Sequence, residues 1–111
     1  MIDLSKTGLP AKSIEKIQHV FSHYSEIQQV ILYGSRAKGT YRRGSDIDMT
    51  VMGDELSGAA LLQLEVELDD LLLPYKIDLS LFRQISNVAL KEHIERVGVE
   101  FYNVKIDFPV R

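Results

Sequence analysis

The sequence predicts a two-layer α/β domain, a mixed β-sheet with helices packed on one face and the active site on the other. Three observations predict it. Apolar residues at helical spacing alternate along the chain with short segments rich in β-formers. The segments 45–52 and 75–82 alternate apolar and polar residues strictly, as strands covered on one side only do. A hydrophobic share of 45% in 111 residues supplies one core, so residues 1–111 are expected to form a single domain.

The elements follow in order. Pro10 opens a helix to about Tyr24, at a position where its missing N–H does no harm, and Ile14, Ile17, Val20 and Phe21 form the core-facing stripe. His19 and His23 have the four-residue spacing of metal ligands but no Cys or Glu pattern beside them, and read as solvated, as does His93. Val30 to Tyr33 is a short strand stopped by Gly34. Ser35 then caps a short helix through Arg36, Ala37 and Lys38, ended by Gly39. In Ser45 to Met52, Asp46, Asp48, Thr50 and Met52 fall on one face and Ile47, Met49 and Val51 on the other.

A second long helix runs from about Ser57, its cap, to about Leu72, with Pro74 as a stop. Leu61, Leu64, Leu68, Leu71 and Leu72 are expected to pack on the sheet, while Leu62, Val66 and Leu73 widen the apolar stripe. The width reads first as deep burial and second as a contact with another subunit; Asp69 and Asp70 read as exposed. In Tyr75 to Phe82, Ile77, Leu79 and Leu81 oppose Lys76, Asp78, Ser80 and Phe82. Val88 to Val97 forms a third amphipathic helix through Leu90, Ile94 and Val97, and Val99 to Val104 a short edge strand.

The chemistry concentrates between 34 and 78. Gly34 lets backbone approach a ligand closely, and the helix start after it offers N–H groups and partial positive charge to a phosphate. Asp46 and Asp48 sit about 7 Å apart at Cα on one face of a strand. Like charges so placed repel unless a cation lies between them, and hard oxygen ligands suit Mg²⁺ or Mn²⁺. If the two alternating strands pair, Asp78 joins them, giving the three carboxylates of a site for two metals about 4 Å apart. A Gly-Ser turn alone is usually a loop, and Asp-x-Asp alone is usually a solvated strand end. At this spacing, together, the balance reverses.

Gly-Ser, ten residues, then Asp-x-Asp, in so short a chain, resembles the minimal nucleotidyltransferase family of the DNA polymerase β superfamily, small proteins of which many are antitoxins encoded beside a helical HEPN partner. The resemblance implies that Gly34 and Ser35 bind the triphosphate, with Arg36 and Ser45 in the nucleotide site. It implies that Asp46 and Asp48 ligate Mg²⁺ and that Asp78 completes the metal site and serves as general base. It further implies transfer of AMP from ATP to a tyrosine hydroxyl of a HEPN toxin. Two alternatives stand beside it: modification of a small hydroxyl compound with a partner subunit supplying the binding domain, and a non-catalytic nucleotide-binding subunit that inhibits its partner by occlusion. A homodimer, or a complex with a helical partner of similar size, suits a domain this small.

Composition narrows the field. A net charge of −3 and a pI near 5.5 argue against a general nucleic-acid binder. The chain has no Cys, so no disulfide holds it, and no apolar run of membrane-spanning length, so a cytoplasmic location is expected. Arg36, Lys38, Arg42 and Arg43 form the local basic cluster, read either as a solvated loop or as a short-range funnel for an anionic nucleotide.

Overall fold

The computed structural model describes residues 2–105. Its elements are α1 (Ala11–Ser22), β1 (Gln29–Tyr33), α2 (Ser35–Lys38), β2 (Ile47–Met52), α3 (Gly58–Asp69), β3 (Ile77–Leu81), a 3₁₀ turn (Phe82–Gln84), α4 (Val88–Val97) and β4 (Val99–Asn103). The sheet is mixed, in the order β3-β2-β1-β4. β1 runs antiparallel to both β2 and β4, whereas β2 and β3 are parallel. A parallel pair needs a crossover rather than a tight turn, and α3 provides it.

One face of the sheet carries the core. Val30, Leu32, Ile47, Met49, Val51, Leu79 and Leu81 are buried against Ile17, Val20 and Phe21 of α1 and Leu64 and Leu68 of α3. α1 begins with the Pro10 carbonyl accepting the Ile14 N–H at 3.1 Å, so the proline costs the helix nothing. A register shift between Val30 and Ile31 slips an extra residue into β4. Phe101 and Tyr102 are therefore both buried, with ring centroids 6.2 and 5.7 Å from that of Phe21.

α3 is less buried than its sequence suggests. Ser57 caps it by accepting the Ala60 N–H at 3.1 Å, and Leu64 and Leu68 are buried as expected. Yet Leu62 and Val66 are 66% and 59% exposed, which overturns the reading of a deeply buried helix. A helix lying on a sheet presents one stripe to it, and the wider apolar surface has nowhere to go. Leu72, expected on the sheet, is 89% exposed and stands at φ 54, just past the end of α3.

α4 lies elsewhere. Its Gly98 terminus approaches Ile31, and Ile31 lies on the face opposite the core, paired with Thr50. α4 therefore packs over the β1 end of the carboxylate face.

Candidate active site

Pairing register brings the predicted acids together. Tyr33 is the β1 partner of Asp48, and Asp48 is the parallel-strand partner of Asp78, so all three side chains share the face away from the core. Asp46 stands just before β2 and is exposed, as is Asp78; Asp48 is half-buried. Beneath them, the Ser80 hydroxyl donates to Thr50 Oγ1 at 3.1 Å, and the Thr50 hydroxyl reaches the Ser80 carbonyl at 3.4 Å. Thr50 is fully buried although it belongs to the polar face of β2, and this bonding makes that burial tolerable.

The turn after β1 closes on Asp48. Gly34 has φ 77 and ψ −158, and a Cβ placed on it would stand 2.5 Å from Asp48 Oδ2. Any side chain would displace the carboxylate, so glycine here joins the turn to the acid. The Gly34 carbonyl accepts the Lys38 N–H at 3.1 Å, which winds α2.

The electrostatics follow from this crowding. Burial, then the Asp78 and Asp46 charges, push the Asp48 carboxyl above the ordinary carboxylate range, opposed by His93 and Lys76. Burial also raises the Tyr33 phenol, with Asp48 and Asp78 adding to it against the lowering effect of a hydrogen bond with Ser80. Among the described residues, no three His, Cys, Asp or Glu side chains are drawn into a ready-made cation cage. The donors nevertheless fit a divalent ion: they are hard carboxylate oxygens on one face, and the repulsion that raises Asp48 is what such a charge relieves.

Arg36 differs from expectation. It is 2% exposed. Its Nε donates to the Ser45 carbonyl at 3.0 Å and its Nη1 to the Thr7 carbonyl at 2.9 Å, while the guanidinium carbon lies 5.1 and 4.8 Å from the ring centroids of Tyr41 and Tyr75. A guanidinium so occupied is an internal brace, so the expected phosphate contact does not describe its use here. Ser45 belongs to the same brace: its hydroxyl accepts the Arg42 N–H at 2.8 Å. Of the basic cluster, Lys38, Arg42 and Arg43 remain exposed beside the turn.

His93, read from the sequence as solvated, stands at the site instead. Its Nε2 accepts the Gly34 N–H at 3.3 Å and its ring meets Tyr33 edge-on at 6.1 Å. The contact spans 59 positions, and no local pattern announces it. His19 and His23 are exposed as expected, with His23 Nδ1 4.0 Å from Glu67. A groove of about 450 Å³ lies between α3 and β3, lined by Leu62, Val66, Leu73 and Tyr75 among others, away from the carboxylates.

Residues 15–107 match the family profile described as polymerase beta, nucleotidyltransferase. The chain belongs to this nucleotidyltransferase family. Among curated proteins none matches it. Solved structures similar to this nucleotidyltransferase include a chain from a toxin–antitoxin complex with AMP-PNP, 26% identical at a TM-score of 0.66, with 87% of this chain and 76% of that one covered. An MntA–HepT toxin–antitoxin structure is 21% identical at a TM-score of 0.63, covering 85% and 73%. A complex of tri-AMPylated Shewanella oneidensis HEPN toxin with MNT antitoxin is 21% identical at 0.62, covering 83% and 71%. The domain is thus a minimal nucleotidyltransferase in fold, and no helix of the described residues is long and apolar enough to cross a membrane.

Proposed function

We propose that this domain is a Mg²⁺-dependent adenylyltransferase that moves AMP from ATP to a tyrosine hydroxyl of a HEPN toxin partner and so acts as an antitoxin. The observation that carries this reading is the juxtaposition of the Gly34 turn with three carboxylates on one face. Two similar structures support the nucleotide and the partner: one is a toxin–antitoxin complex with AMP-PNP, and the other pairs an AMPylated HEPN toxin with an MNT antitoxin.

In the proposed reaction, the acceptor oxygen attacks the α-phosphorus in line, the bond to the bridging oxygen of the β-phosphate breaks, and pyrophosphate departs. Asp78, exposed at the rim, takes the hydroxyl proton. Gly34 and Ser35 hold the triphosphate above Asp48, and Lys38, Arg42 and Arg43 draw the anion in. Asp46, Asp48 and Asp78 would hold one Mg²⁺, and Asp46 and Asp48 a second. When bound, these ions supply charge neutralisation and a more acidic acceptor hydroxyl. Arg36 keeps the loop between Gly39 and Asp46 in place through Ser45.

The test is transfer of α-labelled ATP onto a HEPN protein encoded beside this chain, with and without Mg²⁺. Label on the partner with wild type but not with Asp46→Asn, Asp48→Asn sustains the proposal. Partner inhibition that survives in that double mutant without label points to occlusion instead.

A further inference from the structure

α4 is fixed firmly against β1. Asn87 caps its start, accepting the Leu90 N–H at 3.1 Å, and Ile94 is 3% exposed. At its end the Gly98 N–H donates to the Ile94 carbonyl at 2.8 Å. A Cβ on Gly98 would lie 2.7 Å from Ile31 Cγ2, so the helix terminus sits directly on the strand that leads into the nucleotide turn. One residue before Ile94, His93 meets the Tyr33 ring and accepts the Gly34 N–H.

Gly34 is the residue most in need of such a hold. Glycine has the widest backbone freedom, and the φ 77 conformation that seats the turn against Asp48 is one of many open to it. Its carbonyl is committed to α2, which leaves the N–H as the handle on the incoming side.

We propose that His93 is a positioning residue for nucleotide binding: from α4, it holds the Gly34 N–H and so sets where the turn presents a triphosphate to the three carboxylates. The proposal rests on the reading of the turn as the nucleotide site. It concerns a residue outside the Gly-Ser and Asp-x-Asp motifs. It also assigns α4 a task beyond covering the sheet.

The experiment compares wild type, His93→Ala and His93→Gln in two measurements. Glutamine can place an acceptor oxygen near the position of Nε2, whereas alanine cannot. In the apo protein, the Gly34 amide is followed by nitrogen-resolved NMR and hydrogen exchange. Its resonance moves and its exchange quickens in His93→Ala, and both return toward wild type in His93→Gln. In calorimetry with AMP-PNP and Mg²⁺, Kd rises about three- to tenfold in His93→Ala, the range of one net hydrogen bond, and is largely restored in His93→Gln. In the transfer assay, the alanine variant raises KM for ATP more than it lowers kcat.

An unchanged Gly34 amide in His93→Ala overturns the proposal. So does an altered amide with an unchanged Kd, which reduces His93 to packing, and so does a glutamine variant no better than alanine. A wild-type protein that binds no AMP-PNP while its Gly34 amide still responds to His93→Ala sinks the nucleotide reading, and the positioning role falls with it. That pattern differs from failure of the histidine contact itself.

Discussion

The stretch from α2 into β2 holds two charged centres that the chain treats in opposite ways. Arg36 is buried with its donors on the Thr7 and Ser45 carbonyls and aromatic rings nearby. Among the described residues, no buried side-chain nitrogen or oxygen lacks a partner. Asp48 is half-buried beside two further acids, and its carboxyl is raised. Satisfied charge builds the frame; unsatisfied charge, held where the frame keeps it, is available for chemistry. Both centres lie within one stretch of sequence, so proximity to a motif does not reveal which kind a residue is.

The largest effect that can break this contrast is on activity. Asp46→Asn, Asp48→Asn should lower AMP transfer by about three orders of magnitude or more, with a melting temperature equal to or above that of wild type. Residual transfer near the wild-type rate would show that the acids are not the reacting centre. Next, Arg36→Ala should destabilise the fold by about 2–4 kcal/mol in urea unfolding, because two carbonyls lose donors and the ring contacts go. Arg36→Lys should recover little, since one ammonium does not reproduce the planar fork. A stability loss within experimental error, accompanied by weaker ATP binding, would return Arg36 to the nucleotide site.

A subtler effect comes from pH. The folded protein holds the Asp48 proton more tightly than the unfolded chain does. The stabilisation from this group is therefore full below the ordinary value of 3.8 and is lost as pH rises through the raised one. Asp48→Asn should melt above wild type at neutral pH, with the gap closing in acid; a gap that widens in acid contradicts the repulsion argument. Smallest is Leu72→Gly, expected to stabilise by roughly 0.5–1 kcal/mol by relieving the positive φ, with no change in transfer. It sharpens the contrast, because strain without charge should leave the chemistry untouched.

Much of the site was legible because its signals are local. A period of two put Asp46 and Asp48 on one face, and the matching alternation around Asp78 foretold a strand, whose pairing in register with Asp48 the structure adds. Gly34 marked the end of β1, and the structure adds the reason that it must be glycine. What was not legible depends on distant partners. Arg36 looks like a phosphate ligand until Thr7, Tyr41 and Tyr75 close around it. His93 looks solvated until α4 docks on β1. The apolar excess of α3 could be counted but not assigned to an inside, since Leu62 and Val66 fall beyond the stripe that the sheet can cover.

The strand order has a consequence for how the molecule assembles. β1 and β2 pair across a short excursion, but β3 joins only after α3 has crossed the sheet, with Thr50 and Ser80 thirty positions apart. Asp78 thus reaches Asp48 as a late arrival, on a strand with one neighbour and an open edge. The repulsion that Asp78 adds to Asp48 is deferred to that docking and does not burden the pairing of β1 with β2. β3 should accordingly open ahead of the central β1–β2 pair, its Leu79 and Leu81 amides exchanging with solvent before those of Val30 and Leu32.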